Sequence, residues 1–255
     1  MRLTTRPLGQ TGLHTAPLGL GLVKLGRDRG VKYPTPVTIP SDREARKLLD
    51  CAKDLGINLL DTAPAYGNSE ERLGKLIAGQ RQQWLLATKV GETFDGEHSS
   101  YDFSEAACRQ SVDTSLRRLG TDYLDIVLIH SDGSDVEILE QHGTLQVLQG
   151  LQAEGKIRAV GISHKTIAGA ELAMRQGADI LMATLNPTYT EEQELIASAA
   201  QAGVGVLIKK AMASGHGQPA DLAWVAKQPG VGAIVVGTSN PENLAANAAW
   251  VSEST

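Results

Sequence analysis

Tyr123-Leu124-Asp125-Ile126-Val127-Leu128-Ile129-His130 is an apolar run that ends on a titratable residue, and the chain turns polar immediately after it. Two shorter runs end the same way: Ile57-Asn58-Leu59-Leu60 before Asp61, and Trp84-Leu85-Leu86-Ala87-Thr88 before Lys89. Short, nearly continuous apolar runs are the mark of strands buried on both faces, as in a parallel sheet covered by helices. If the three strands lie parallel in one sheet, Asp61, Lys89 and His130 gather at its carboxyl edge, where α/β proteins build their sites. Tyr66 joins them from a Pro/Gly loop five residues past Asp61.

Outward from these runs, the same alternation covers the chain. Strands are expected at 17–23, 57–61, 84–89, 123–129, 157–162, 179–184, 204–209 and 232–236. Helical periodicity falls between them at 42–55, 69–79, 104–119, 142–154, 165–176, 190–202, 219–228 and 241–252. Eight β/α pairs in about 250 residues predict a (β/α)8 TIM barrel, class α/β, with residues 1–255 forming one domain. A doubly wound open sheet shares the local pattern, but eight repeats strain it. Ser41-Asp42-Arg43-Glu44 and the stretch from Ser104 read as capping boxes, and Gly56, Gly120, Gly155, Gly177 and Gly203 stand where helices should stop. Pro7 to Gly12 reads as an N-terminal β-hairpin plugging one end of the fold.

Bulk properties narrow the function. With 42% hydrophobic residues the 255-residue chain can bury a substantial core. A formal charge of −5 with both signs interspersed offers no basic stripe for nucleic acid and no cationic amphipathic helix for a membrane. The expected partner is a small molecule. The N-terminus lacks the apolar core of a signal peptide, no run approaches the ~20 residues of a membrane span, and Cys51 and Cys108 show no ligand spacing. Reduced packing cysteines in a cytoplasmic protein are the expectation. The histidines form no HExxH or other ligand pattern, so no metal is expected.

Asp61, Tyr66, Lys89 and His130 make a proton-transfer set. Reduction of a carbonyl needs a hydride donor at carbon and a proton donor at the oxygen, which gains alkoxide character. A tyrosine hydroxyl, ordinarily titrating near pH 10, does the second job if a neighbouring ammonium lowers it. Tyr66 is then the general acid, Lys89 its modifier, Asp61 the group that keeps Lys89 charged and aimed, and His130 the group that orients the carbonyl. Singly, each has a plainer reading: a solvent-reaching lysine, a structural histidine, a turn-capping aspartate, a rim tyrosine. Their joint occurrence in this order carries the argument.

At these residues the chain resembles the aldo-keto reductase family. The matching stretches are Asp61-Thr62-Ala63-Pro64-Ala65-Tyr66-Gly67-Asn68-Ser69-Glu70, Ala87-Thr88-Lys89-Val90-Gly91, Leu116 to Asp125 with His130, and Lys156-Ile157-Arg158-Ala159-Val160-Gly161-Ile162-Ser163. The resemblance runs from about residue 5 to residue 247. It implies an oxidoreductase that reduces aldehydes or ketones, or runs the reverse oxidation, with NADPH or alternatively NADH lying extended across the barrel's carboxyl end. Consistently, no GxGxxG occurs: in Gly19-Leu20-Gly21-Leu22-Val23-Lys24, lysine takes the place of the third glycine. Cofactor phosphates then need another cradle, and Gly237-Thr238-Ser239-Asn240-Pro241 reads as a strand end followed by a helix N-terminus. By resemblance, Thr238, Ser239, Asn243 and Asn247 take the adenosine end, and Ser163 and His164, after the fifth strand, are cofactor-binding positions; Lys209 and Lys210 end the seventh strand, where they can meet the pyrophosphate charge.

Some positions depart from the family pattern. His164 stands for an asparagine, Met182 for a glutamine, Lys209 for a stacking aromatic and Asn243 for an arginine that grips a 2′-phosphate. The chain ends at Thr255 without the long closing loop of many relatives, so an open substrate mouth is expected, with Val23, Leu25 and Met212 as apolar walls. Two rival functions follow: a cofactor-binding sensor or auxiliary protein with little turnover, and a lyase using Lys89 or Lys209 as a Schiff base.

Overall fold

The computed structural model describes residues 2–31 and 33–254, so readings placed on Met1 and Thr255 lie outside the described residues. Its strands are β1 (Arg6–Pro7), β2 (His14–Thr15), β3 (Leu18–Gly21), β4 (Leu59–Asp61), β5 (Leu85–Val90), β6 (Glu92–Phe94), β7 (Ser99–Tyr101), β8 (Leu124–His130), β9 (Ile157–Ser163), β10 (Ile180–Thr184), β11 (Gly205–Lys209) and β12 (Ala233–Gly237). Eight of them, β3, β4, β5, β8, β9, β10, β11 and β12, close into a parallel barrel in that order. This is the (β/α)8 fold, and each barrel strand falls where an apolar run predicts one.

Outside the barrel run α1 (Val23–Gly26), α2 (Asp42–Asp54), α3 (Ser69–Leu76), α4 (Glu105–Leu119), α5 (Asp135–Glu140), α6 (Thr144–Ala153), α7 (Ile167–Arg175), α8 (Gln193–Gln201), α9 (Ala220–Ala226) and α10 (Pro241–Ser252). α1 and α5 are additions that periodicity does not reveal, because four and six residues are too short to show a 3.6-residue period. All five predicted glycine stops adopt left-handed φ, between 64° and 84°. Ser41 makes the full capping box with Glu44. Ser104 makes only half of one: it accepts from the N–H of Ala107, and alanine has no side chain to return the bond.

Two apolar layers form. The larger packs the outer faces of the strands against the helices. The smaller fills the barrel and contains Leu59, Leu85, Ala87, Ile126, Leu128, Ala159, Ile180, Met182, Leu207 and Ala233, together with Leu8 and Leu13. Those two leucines come from the turn between β1 and β2, which pair antiparallel, so the predicted hairpin does plug the amino end. The interior is therefore solid below and open only at the carboxyl end.

Charged side chains fix the strands behind the motifs. Asp125, nearly fully buried, accepts from Arg81 Nη2 at 2.7 Å, Arg158 Nη1 at 2.8 Å and the Leu86 N–H at 2.9 Å. One carboxylate thus ties β5, β8 and β9 together.

Candidate active site

The barrel's carboxyl end opens into a cleft of about 530 Å³ lined by Asp61, Tyr66, Lys89, His130, Ser163, Lys209, Lys210 and Gly237, among others. Strand periodicity explains why. Leu59 and Asp61 share one face of β4; Leu85, Ala87 and Lys89 share one face of β5; Ile126, Leu128 and His130 share one face of β8. The lower members belong to the barrel's inner core, so the upper member of each row must face the same interior one layer higher. Asp61 is in register with Ala87, Lys89 with Leu128, and His130 with Ser163.

Lys89 is almost wholly buried, and its ammonium donates to Asp61 Oδ1 at 2.8 Å and to the Thr62 carbonyl at 2.9 Å. Burial works against its charge, but Asp61 and Tyr66 overcome it and hold its pKa up at about 12. The same ammonium lies 4.8 Å from the centre of the Tyr66 ring. Tyr66 meets His130 edge to face, with ring centres 6.1 Å apart and planes at 87°. The loop that carries Tyr66 is locked from behind. Thr62 Oγ1 donates to Ser69 Oγ at 2.9 Å and Ser69 Oγ to the Leu22 carbonyl at 3.0 Å. Glu70 accepts from Thr88 Oγ1 at 2.7 Å, which gives the Ser69-Glu70 end of the motif a structural role.

One expectation needs correcting. The Tyr66 hydroxyl is not brought toward neutrality: burial drives it up to about 12, with Asp61 and Glu92 adding to the rise and Lys89 opposing it. The loss of hydration exceeds the help from one ammonium that is itself shared with a carboxylate.

The sequence reading missed Glu92, Arg27 and Ser99, which complete the polar wall beside His130. Glu92 Oε1 accepts from Ser99 Oγ at 2.6 Å and from Arg27 Nη1 at 3.3 Å, while Oε2 lies 2.8 Å from His130 Nδ1. Burial pushes this carboxyl up, but His130, Ser99 and Arg27 outweigh it and hold it at about 2. Arg27 also donates to the Ala65 carbonyl, next to Tyr66, at 3.0 Å, and its guanidinium lies 3.7 Å over Phe94. The signal that could have found Glu92 is thin: an acidic residue just past the Lys89 motif.

The residues expected at the cofactor separate into groups. Ser163, Lys209, Lys210 and Gly237 line the cleft with Asp61, Tyr66, Lys89 and His130. Lys209 Nζ donates to Ser163 Oγ at 2.9 Å and to the His164 carbonyl at 2.6 Å, and burial beside Lys210 lowers its pKa to about 7. The His164 ring points elsewhere, fully buried with Nε2 2.7 Å from Glu192 Oε2. Thr238 and Ser239 line a small adjoining recess with Lys24 and Leu25. On α10, Asn243 is exposed and Asn247 buried. Asn240 caps α10 through the Glu242 N–H at 2.7 Å, with Pro241 at its first position. Of the expected wall residues, Val23 and Met212 line the cleft, whereas Leu25 is buried in the recess.

The cleft's charge is lopsided. Beyond the pairs Lys89–Asp61 and Arg27–Glu92, its lining holds, among the described residues, Lys24, Lys165, Lys209 and Lys210 and no further carboxylate. In a chain of net charge −5 this donor set favours an anionic ligand. Among the described residues no group of His, Cys, Asp and Glu is placed to hold a metal, and no helix is long and apolar enough to cross a membrane.

Comparison with known proteins gives the same direction. Residues 17–221 match the sequence model of the Aldo/keto reductase family. A Bacillus subtilis oxidoreductase of uncharacterised activity, YqkF, is 36% identical over 62% of this chain and 48% of its own length. The L-galactose dehydrogenase of Arabidopsis thaliana is 37% identical over 64% of this chain and 49% of its own. The chain thus spans about half the length of the curated relatives it matches. Among solved structures, PA4992 of Pseudomonas aeruginosa, which bears the aldo-keto reductase name, superposes with a TM-score of 0.91 and 49% identity, covering 98% of this chain and 95% of the other. The holo form of aldo-keto reductase AKR11C1 from Bacillus halodurans gives 0.82 and 28%, covering 98% and 91%.

Proposed function

The chain belongs to the Aldo/keto reductase family, and from that premise we propose that it reduces aldehydes or ketones to alcohols with NADPH, NADH being the alternative, and runs the reverse oxidation. The observation that carries this reading is the convergence of Tyr66, Lys89, Asp61 and His130 on one open cleft above a closed apolar core. The bound cofactor supplies the hydride. Lys209 and Lys210 would meet its diphosphate, Thr238, Ser239, Asn243 and Asn247 would serve the adenosine end, and Ser163 would add a further polar contact. Lys209 is suited to such a ligand, because an arriving anion favours the charged form of an amine that burial holds near neutrality.

Tyr66 donates the proton to the carbonyl oxygen. With its hydroxyl held at about 12 it stays a protonated donor through the whole neutral range, and Lys89, charged at the same pH, stabilises the phenolate as it forms. Asp61 keeps the Lys89 ammonium aimed, and the Thr62 carbonyl fixes its height. His130, which lines the same cleft, orients the carbonyl when its ring is protonated.

Tyr66→Phe should lower kcat by about 10²–10⁴, the usual contribution of a general acid, while leaving cofactor affinity near the wild-type value. Butanal-dependent consumption of NADPH measures the first, and quenching of Trp84, Trp224 and Trp250 on titration with NADPH and NADH the second. Retained turnover removes Tyr66 from the role. A second reading, a cofactor-binding sensor with little turnover, draws on Lys209, which occupies both Ser163 Oγ and the His164 carbonyl. Tight cofactor binding with no aldehyde in a broad panel reduced would favour it.

A further inference from the structure

We propose that Glu92 is a positioning residue that fixes the proton of neutral His130 on Nδ1, so that Nε2 faces the cleft as a hydrogen-bond acceptor. The proposal rests on the reductase reading for its catalytic consequence, but not for its geometry.

Glu92 opens β6, and two donors hold its carboxylate by Oε1: Ser99 and Arg27. Oε2 is left for His130, 2.8 Å from Nδ1. Nδ1 is shut off from water, and its ring is turned so that Oε2 sits off the N–H line; no hydrogen bond is closed in this orientation. Glu92 is the group that Nδ1 faces at contact distance. An ionised carboxylate can only accept, so the nitrogen it faces must be the one that carries hydrogen. Ser99 and Arg27, which donate to Oε1 independently of His130, favour the ionised form.

Among the described residues none forms a hydrogen bond with the other ring nitrogen, and His130 lines the cleft. Nε2 is therefore the atom a substrate oxygen meets. With the ring neutral it offers a lone pair, which suits the hydroxyl of an alcohol. Only the imidazolium offers an N–H to a carbonyl oxygen, as the orienting role requires. The groups that set this balance come from four elements. Glu92 on β6 favours the cation, Lys89 on β5 and Lys209 on β11 oppose it along with burial, and the Tyr66 loop supplies the ring edge. The direction of the reaction then depends on His130: reduction gains on the acid side of its titration and alcohol oxidation on the alkaline side.

The test is the ¹⁵N spectrum of histidine-labelled protein across pH, with His130→Gln identifying the His130 signals among the six histidines. In wild type the neutral ring should carry its proton on Nδ1. Glu92→Gln removes the charge but keeps the shape, and should move the His130 midpoint down by about one pH unit or more, the effect of losing an opposite charge at contact distance. The acid-side gain in kcat/KM for butanal reduction should move with it. A wild-type neutral ring protonated on Nε2, or a midpoint unmoved by Glu92→Gln, overturns the proposal. Should Glu92→Gln not fold, the wild-type proton position alone decides. If no aldehyde is reduced, the reductase reading fails while the spectrum still tests Glu92.

Discussion

Lys89 and Asp61 form an ion pair with almost no access to water, and the two partners are not interchangeable in what their loss would do. Breaking such a pair leaves a buried charge without compensation, at a cost of about 3–5 kcal/mol, whereas removing both charges costs far less. Lys89→Met should therefore destabilise the protein by about that amount, and Asp61→Asn added to Lys89→Met should restore most of the loss. Activity should be absent from both variants, because neither keeps an ammonium beside Tyr66. Urea denaturation at pH 7 separates the two effects. The pKa of Lys89 is raised in the fold, so its stabilising contribution is complete below about 10.5, the unfolded value, and fades only as pH rises through about 12. Titration does not confuse the comparison at pH 7. A double variant no more stable than Lys89→Met would show that the pair is not what holds this layer. That Asp61, Tyr66, Lys89 and His130 meet at one end of the barrel was legible in the sequence because each ends or follows an apolar run. Glu92 was not, since its partners Arg27, Ser99 and His130 are brought to it only by the closed barrel.

Strands explain which parts of the site could be read ahead of the structure. Each barrel strand presents alternate residues inward, and on seven of the eight the last inward position lines the cleft: Gly21 on β3, Asp61 on β4, Lys89 on β5, His130 on β8, Ser163 on β9, Lys209 on β11 and Gly237 on β12. Apolar patterning locates such strands reliably because their cores are continuous. The hairpin β6–β7 escaped for the opposite reason: all three residues of β7 are exposed, so it has no apolar alternation to betray it. Yet this hairpin delivers both Glu92 and Ser99. Lower in β9, Gly161 tests whether register sets the site. It pairs with Ile180, and a side chain there would run into the Ile180 carbonyl, which is backbone and cannot swing away. Gly161→Ala should cost at least the ~1–3 kcal/mol of an overpacked core and weaken cofactor binding, because Ser163, two residues on, holds Lys209. Thermal denaturation with NADPH titration measures both. Unchanged stability would mean that β9 and β10 separate there without cost.

At the scale of the whole molecule, a barrel open at its carboxyl end needs a stopper at the other, and here the stopper is local in sequence. Leu8 and Leu13 leave the β1–β2 turn and enter the inner core beside Leu59, Ile126, Ile180 and Leu207, drawn from four different strands. Arg6 anchors the hairpin from outside by donating to the carbonyls of Gly232 at 2.9 Å and Val231 at 3.1 Å. The first strands of the chain are thus joined to its last, and we propose that hairpin, barrel and helices are one domain that unfolds as a unit. Leu8→Ala opens a cavity that the surrounding strands cannot collapse to fill, so it should cost about 2–5 kcal/mol. In a chain of this size each kcal/mol lowers the thermal midpoint by about 2–4 °C. Tryptophan fluorescence and far-ultraviolet circular dichroism should move down together, because a unit with one core loses packing and secondary structure at once. A midpoint unchanged by Leu8→Ala would show the hairpin to be an appendage. Fluorescence that melts ahead of circular dichroism in the variant would instead separate the plugged end from the rest and overturn the idea that the floor of the cleft and its polar rim are held by a single core.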